Sequence, residues 1–210
     1  MTMILHDYWR SSAAYRVRIG LNLKGLGFES VSLDLRAGEQ KLPSYRILSP
    51  QGLVPAIEHD GVVLTQSLAI LEWLDETHPE PGFLPFDPTG RARVRAMAYT
   101  IAMDIHPVNN LRILKALKGD FGAEQPAIDA WVRHWIAEGF TALEAMADAP
   151  YLSGETPGLA DICLVPQWYN AERFALDTSP YPKLAAIVGR ANDHPAFAAA
   201  HPSRHPHATD

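Results

Sequence analysis

The first 78 residues alternate between short strand-like runs and longer helix-like runs. Residues 3–7 (MILHD) are apolar enough for a buried strand, and residues 14–24 place apolar side chains four positions apart, as a largely buried helix does. Residues 31–35 alternate apolar and polar side chains, which is the period-two pattern of a strand. Asp60-Gly61 fits a tight hairpin turn between two further strands.

Ser67 opens the next helical run, SLAILEWLDETH, and is its predicted N-cap. The resulting order, β-α-β, an extended loop and then β-β-α, predicts a small mixed sheet covered by helices. Residues 79–88 (PEPGFLPFDP) contain four prolines, which cannot continue a helix. We therefore predict a linker at 81–88, between a domain spanning 1–80 and a domain spanning 89–210.

The region after the linker has helical periodicity and no convincing strand pair, which predicts an all-α domain. Its helices are expected over 89–118, with a bend at Pro107, and over 126–149, 158–174 and 181–192. The final ten residues, HPSRHPHATD, are polar and interrupted by prolines, so we predict a frayed tail there.

Composition and charge narrow the class of protein. With 210 residues, 47% of them apolar, the chain can bury a well-packed core. The net charge of −6 argues against a nucleic-acid partner. The N-terminus lacks the apolar region of a signal peptide, and no apolar run approaches the roughly 18 residues of a membrane span. We therefore expect a cytoplasmic protein with no membrane partner.

Thiol or metal chemistry by the chain itself is not expected. The single cysteine, Cys163, excludes an intrachain disulfide and a CxxC pair, and its apolar surroundings are typical of core filling. Asp104 and His106 are two positions apart on a helix and do not face each other, so we predict no metal site. Any reactive sulfur must then come from a ligand.

Ser11 and Ser12 lie at the start of the first predicted helix and allow two interpretations. One of them can simply cap the helix. Alternatively, the free N–H groups and partial positive charge of the helix N-terminus, with Arg10 beside them, can stabilise an anion such as a thiolate. The chain has no GxSxG motif, so neither serine is predicted to be a hydrolase nucleophile.

The stretch LVPAIEHDGVVLTQSLAI contains the next candidates. Pro55 after Val54 fits a cis peptide bond in a tight turn, and the Val54 backbone is a candidate for pairing with an extended peptide. Gln66 and Ser67, at the start of a helix, fit a carboxylate site. Each feature alone also fits a turn or a cap, but together with Ser11 they indicate one groove with two anion-binding helix ends.

The candidates in the helical domain also have structural alternatives. His106 and Asn110 are four positions apart, which places them on one helix face. Asparagines there can equally satisfy backbone groups that Pro107 leaves free. Arg173, near the end of a helix, can act solely as a partner of the helix dipole.

Together these motifs resemble the zeta class of the glutathione transferases over nearly the whole chain. The resemblance rests on RSSAAYRVRIGLNLKG, LVPAI, TQSLAILEWLDE, GLAD and LVPQ…AERF…PYP. It implies an α/β thioredoxin-like N-terminal domain followed by an all-α C-terminal domain, which is the glutathione transferase fold. It also implies glutathione as the cofactor, a homodimer, and maleylacetoacetate or maleylpyruvate isomerase activity in aromatic-acid and tyrosine catabolism.

The resemblance further implies roles for individual residues. Ser11 and Ser12 would hold the glutathione thiolate, while Val54 would pair with the cysteinyl backbone. Gln66 and Ser67 would bind the γ-glutamyl carboxylate. The remaining residues expected at the glutathione site are Gln40, His106, Asn110 and Arg112. The catalytic set implied by the resemblance is Arg10, Ser11, Ser12 and Arg173.

In this class a glutathione thiolate adds to the cis double bond of a maleyl keto-acid, the bond rotates, and elimination returns the trans acid and glutathione. Arg10 and Arg173 would bind the substrate's carboxylates and stabilise the enolate. Three positions depart from the class pattern: Ala13 replaces cysteine, Gly158 replaces a capping serine or threonine, and Leu111 replaces an arginine of some maleylpyruvate isomerases. The last departure favours maleylacetoacetate.

Two other function classes compete with the isomerase. A general conjugating or dehalogenating transferase would use the same thiolate, but Arg10 and Arg173 favour a diacid substrate. A non-catalytic binding module with this fold is disfavoured because the serine pair, Gln66-Ser67 and both arginines are retained. Which serine lies nearer the sulfur stays open.

Overall fold

A four-stranded mixed sheet organises the N-terminal part of the chain, as expected. Its strands are β1 (Met3–Asp7), β2 (Phe28–Ser32), β3 (Ala56–His59) and β4 (Val62–Thr65). The order is β2-β1-β3-β4, with β2 parallel to β1 and the other two neighbouring pairs antiparallel. Leu5 and Ile57 face each other across β1 and β3, and both are fully buried. These central strands form the apolar centre of the sheet.

Helices make up most of the remaining chain in this computed structural model, which describes residues 2–208. They are α1 (Ser12–Leu23), α2 (Pro43–Arg46), α3 (Ser67–Thr77), α4 (Pro88–Tyr99), α5 (His106–Val108), α6 (Leu111–Gly119), α7 (Gln125–Met146), α8 (Leu159–Arg173), α9 (Pro182–Asp193) and α10 (Pro195–Ala200). Short 3₁₀ turns cover Glu39–Lys41 and Pro202–Arg204. No helix of the described residues is long and apolar enough to cross a membrane.

The described residues divide into two compact units. One contains residues 2–82 and 193–208, and the other contains Phe83–Asn192. The division after residue 82 falls within the predicted linker. The expected C-terminal domain, 89–210, differs at its end, because residues 193–208 belong to the sheet-containing unit.

The predicted frayed tail is wrong for residues 201–208, while residues 209 and 210 lie outside the described structure. Residues 202–204 form a 3₁₀ turn, and His205 is buried. Nε2 of His205 lies 3.2 Å from Oδ2 of Asp7 in β1 and 3.3 Å from Oγ of Ser30 in β2. Buried partners distant in sequence therefore hold a segment whose composition alone indicates disorder.

Two local predictions for the turns of the first unit are confirmed. Asp60 and Gly61 have φ values of 49° and 79°, as a type I′ hairpin turn requires at both central positions. The peptide bond between Val54 and Pro55 is cis. The strand predicted over 31–35 is shifted, since β2 ends at Ser32.

The helix predicted over 89–118 with an interruption at Pro107 is indeed interrupted just after that proline, between Val108 and Leu111, but it is divided into more elements than predicted. Helix α4 ends at Tyr99, and residues Thr100–Ile105 form a π-helix directly before Pro107. Proline cannot donate to the preceding turn and its ring crowds that turn, so the helix widens there and ends at Val108. In the same unit, α7 packs so closely on the π-helix that a Cβ at Gly139 would collide with the side chain of Ile105.

Candidate functional site

The N-terminus of α1 is the first part of the candidate site. Ser11 is the N-cap, and its Oγ accepts a hydrogen bond of 3.2 Å from the N–H of Ala14. Ser12 is the first helical residue and is half-buried. Capping uses an acceptor position of Ser11 and leaves its O–H free to donate. The two sequence-based interpretations of the serines are therefore compatible.

Arg10 adds a positive charge beside these hydroxyls. Its guanidinium lies 5.1 Å from the ring centroid of Trp9, within the range of a cation–π contact. Among residues 2–208, no carboxylate pairs with Arg10. The first turn of α1 also contains no acidic residue. This end of the helix therefore combines unneutralised positive charge with hydroxyl donors, which suits an anionic ligand.

The loop before β3 presents a free backbone segment. Tyr45 and Ser49 both donate to the carbonyl of Leu53, at 2.8 Å and 2.9 Å, which fixes the chain just before Val54. The N–H and C=O of Val54 have no hydrogen-bond partner within the described chain. Burial raises the pKa of Tyr45 to about 12, so this anchor stays a neutral donor. The Val54 backbone is thus available to an extended ligand, as predicted.

Gln40 lies close to this loop. Gly52 has φ +62°, and a Cβ there would come within 2.8 Å of the carbonyl oxygen of Gln40, so glycine is needed for both reasons. Gln40 is 7% exposed, and its side-chain Oε1 has no hydrogen-bond partner in the part of the chain that the structure describes. A buried amide oxygen left without a partner is costly, and a bound ligand can satisfy it.

The N-terminus of α3 is the second helix end. The N-cap is Gln66, not Ser67 as predicted, and its side chain makes no capping hydrogen bond. Ser67 is buried inside the first turn, where its Oγ accepts from Nη1 of Arg16 at 3.3 Å. The side chain of Gln66 instead donates to Oε1 of Gln51 at 2.6 Å, a partner that the sequence did not reveal.

The backbone of Gln66 is strained, with φ +70° and ψ 116°. A non-glycine residue in such a conformation costs about 1–3 kcal/mol, and such positions cluster at ligand-binding sites. Because no side chain caps α3 and no acidic residue lies in its first turn, its N–H groups can bind a carboxylate.

The second unit holds the remaining predicted residues on three elements, α5, α6 and α8. The expectation that His106 and Asn110 share a helix face is wrong, because α5 ends at Val108 and Asn110 caps α6. Its Oδ1 accepts from the N–H of Arg112 at 3.1 Å, which holds these two residues together. His106 is half-buried and the Arg112 side chain is exposed.

Arg173 is the last residue of α8 and is exposed. Its Nη1 donates to Oδ1 of Asn170 at 3.2 Å, and its guanidinium lies 5.7 Å from the ring centroid of Phe174. The position fits the helix-dipole interpretation and also leaves a guanidinium at the surface, where it can bind a carboxylate.

The other end of α8 explains how the chain tolerates Gly158. The buried carboxylate of Asp161 accepts from the N–H groups of Leu152, Ser153 and Gly158, at 2.8–3.1 Å. Burial raises the pKa of Asp161, although these hydrogen bonds act in the opposite direction. The hydroxyl expected at the N-cap comes from Ser153, whose Oγ accepts from the N–H of Ala160 at 3.1 Å. The cap is therefore rebuilt from a neighbouring loop.

The described residues contain no group of three or more side chains placed to hold a metal ion.

Comparisons with known proteins also bear on the site. Residues 10–77 match the family described as "Glutathione S-transferase, N-terminal domain". The chain is 48% identical over 213 residues to the probable maleylacetoacetate isomerase of Vibrio cholerae serotype O1, covering 99% of each chain.

A solved maleylpyruvate isomerase, described as a bacterial glutathione S-transferase of the zeta class, is similar with a TM-score of 0.96 and 44% identity. The comparison covers 98% of this chain and 100% of that one. This chain belongs to the zeta-class glutathione transferases. The predicted thioredoxin-like α/β domain followed by an all-helical region is thereby confirmed as the glutathione transferase fold.

A second solved structure bears on the ligands that similar proteins bind. The maleylacetoacetate isomerase of Methylobacterium extorquens AM1 is similar with a TM-score of 0.95 and 38% identity, covering 99% of this chain and 100% of that one. It was crystallised with glutathione and malonate bound. Malonate is a small dicarboxylate, the class of ligand that paired arginines bind.

Proposed function

We propose that this zeta-class transferase is a glutathione-dependent cis–trans isomerase of a maleyl keto-acid, with maleylacetoacetate as the preferred substrate. The observation that carries the proposal is the N-terminus of α1, where Arg10 has no carboxylate partner within residues 2–208 and lies next to Ser11 and Ser12. This arrangement supplies positive charge and hydroxyl donors to a sulfur anion and to an acidic substrate. The names of the similar proteins support the same reaction.

The first unit fits glutathione on three separate features. We assign the γ-glutamyl carboxylate to the uncapped N-terminus of α3 at Gln66 and Ser67. The unpaired backbone of Val54 would bind the cysteinyl segment, and the unpartnered Oε1 of Gln40 would accept from the ligand. When bound, glutathione supplies a thiolate that adds reversibly to the substrate's double bond.

The residues of the chain then have distinct tasks. Ser11 and Ser12 donate hydrogen bonds that hold the sulfur as its anion. Arg10 and Arg173 bind the carboxylates of the substrate and stabilise the negative charge that develops on its oxygen atoms. His106, Asn110 and Arg112 are proposed as further contacts to glutathione, based on the family resemblance.

The choice of maleylacetoacetate over maleylpyruvate rests on Leu111. The family resemblance places arginine at this position in some maleylpyruvate isomerases, and leucine here removes one positive charge from near the glutathione or the substrate. The names of the relatives include both activities, so the two acids must be compared directly.

We also propose that the protein is a cytoplasmic homodimer, as the family resemblance implies. Light scattering of the purified protein should then give about twice the chain mass of 23.2 kDa. A mass equal to a single chain would contradict the dimer without affecting the proposed reaction.

The decisive experiment follows the loss of the enol absorbance of maleylacetoacetate and of maleylpyruvate. We expect rapid formation of the trans acid at substoichiometric glutathione and no turnover with S-methylglutathione, which lacks a free thiol. Maleylacetoacetate should give the higher kcat/KM. Stoichiometric consumption of glutathione would instead indicate a conjugating transferase. Absence of turnover for both acids, with glutathione still bound, would reject the isomerase.

A further inference from the structure

A buried ion cluster links the C-terminal segment to the loop that carries Arg10 and Ser11. It consists of Asp7 at the end of β1, Arg18 on α1 and His205 in the segment after α10. We propose that His205 is a positioning residue for the thiolate-binding loop and acts through Asp7 and Arg18. The inference rests on the proposed function, because it assumes that this loop holds the glutathione sulfur.

Arg18 is the centre of the cluster and all three of its nitrogens are used. Nη1 donates to both carboxylate oxygens of Asp7, at 2.8 Å and 2.7 Å. Nη2 donates to the carbonyl of Trp9 at 3.0 Å, and Nε donates to the carbonyl of Ala200 at 3.1 Å. One buried guanidinium thus ties the end of β1, the loop after it and the C-terminal segment together.

The Trp9 carbonyl is the point where this cluster meets the candidate site. It directly precedes Arg10, and the N–H of Ser11 donates to the carbonyl of Tyr8 at 2.8 Å to close the turn. The position of Arg18 therefore sets where the Arg10 and Ser11 backbone lies. An error of about 1 Å at a reacting group can lower a rate about 100-fold, so support of this kind matters to catalysis.

His205, in the C-terminal segment, is the second side chain that contacts Asp7. Its Nδ1 accepts from the N–H of His207 at 3.2 Å, so in a neutral ring the proton lies on Nε2. That nitrogen lies 3.2 Å from Oδ2 of Asp7 and 3.3 Å from Oγ of Ser30. The imidazole can therefore donate to Asp7 without being protonated on both nitrogens.

The charge state of Asp7 agrees with this arrangement. Burial by itself raises the pKa of Asp7, but the hydrogen bond from His205 and the charge and hydrogen bonds of Arg18 bring it below its usual 3.8. The carboxylate is therefore an anion at neutral pH and holds the guanidinium by charge as well as by geometry. Removal of the His205 donor leaves a buried carboxylate oxygen with one partner fewer and loosens the orientation of Arg18.

The test compares two substitutions of similar size at one position. His205→Gln keeps an N–H that can donate to Asp7, whereas His205→Met fills similar space without a donor. We expect H205M to lower kcat about tenfold and to raise the pKa of the bound glutathione thiol, read from thiolate absorbance, by about one unit. H205Q should restore most of both values, and the control His134→Ala, at an exposed histidine outside the cluster, should resemble the wild type.

A purely structural role predicts a different pattern. If H205M lowered the melting temperature while kcat and the thiol pKa stayed at wild-type values, the proposal would be overturned. If H205M does not fold, Arg18→Lys provides an independent test. Lysine keeps a positive charge near Asp7, but it lacks the planar guanidinium that donates to the carbonyls of Trp9 and Ala200 at the same time. Wild-type kcat and thiol pKa in R18K would equally reject the proposal.

The thiol measurement also separates this inference from the proposed function. It requires bound glutathione and no isomerase substrate. If the wild type binds glutathione as a thiolate but turns over neither acid, the proposed function fails while the H205M and H205Q comparison still decides the role of His205.

Discussion

The N-terminus of α1 and the N-terminus of α8 both attract negative charge, but only α8 has an acidic side chain of the protein in its first turn. The carboxylate of Asp161 sits within the first turn of α8, buried and bonded to three backbone N–H groups. The first turn of α1 has no acidic residue, and Arg10 increases the positive charge there. The same helix-end electrostatics therefore serve stability in α8 and leave a place for a ligand's anion in α1.

The same contrast holds for the hydroxyls at the two ends. Ser153 caps α8 from a separate loop, and its oxygen belongs to a buried network around Asp161. Ser11 caps α1 directly and keeps a donor that faces no partner along the helix. Substitutions at the two ends should accordingly affect different properties, stability at α8 and reaction rate at α1.

Asp161→Ala is expected to have the largest effect of any change at these two helix ends. It removes the acceptor of three N–H groups in a buried position, so the free energy of unfolding should fall by about 3–5 kcal/mol. Urea unfolding measures this loss. The matched variant Ser11→Ala removes one cap and should cost only about 1 kcal/mol. Equal losses in the two variants would contradict the proposed division of roles.

The double substitution of Arg10 and Arg173 by alanine tests the two residues that we propose bind the carboxylates of the substrate. Because both guanidinium groups are assigned to the substrate, kcat/KM should fall about 100-fold or more. The free energy of unfolding should change by less than about 1 kcal/mol, because Arg173 is exposed and no carboxylate in the described residues pairs with Arg10. Arg204→Ala, at an exposed position of the same chain, is the control for loss of charge alone.

A smaller effect is expected at the rebuilt cap of α8. Ser153→Ala removes the hydroxyl that accepts from Ala160, which should cost about 1 kcal/mol in unfolding free energy. Gly158→Ser should not rescue it, since a Cβ at Gly158 would collide with the carbonyl oxygen of Phe83. Recovery of the wild-type urea midpoint in the double variant would show that the position still accepts an ordinary serine cap.

Local chemistry made much of this fold predictable from the sequence. The hairpin at Asp60-Gly61, the proline after Val54 and the helical period after residue 88 each reflect interactions between near neighbours, and each appears in the structure. The cap of α3 was predicted wrongly because Ser67 is bonded by Arg16, a buried partner 51 residues away. The sequence pattern identifies serine as a residue type that caps helices, but it does not reveal that Arg16 donates to this serine.

The C-terminal segment shows the same limit more strongly. HPSRHPHATD has the polar composition of a frayed tail, yet its His205 is buried with Nε2 3.2 Å from Oδ2 of Asp7 at the other end of the sequence. No rule of sequence spacing predicts such pairings, so only the three-dimensional structure reveals them.

The roles of the individual site residues stay a prediction. It is supported in the first unit by the unpartnered Oε1 of Gln40, the unpaired backbone of Val54 and the strained backbone of Gln66.

The two buried aspartates should respond to pH in opposite directions, which gives the last and smallest effect. The folded state lowers the pKa of Asp7, so its contribution to stability is present above pH 3.8 and is lost as the pH falls through the lowered value. Burial raises the pKa of Asp161, so the proton-linked part of its contribution is present at low pH and is lost as the pH rises from 3.8 through the raised value, while its hydrogen bonds from three N–H groups remain. Urea midpoints between pH 3 and pH 6 for the wild type, Asp7→Asn and Asp161→Asn measure both. The stability lost in D7N should shrink on acidification, and that lost in D161N should shrink as the pH rises. Parallel trends in the two variants would mean that Asp161, like Asp7, is held as a stabilised anion.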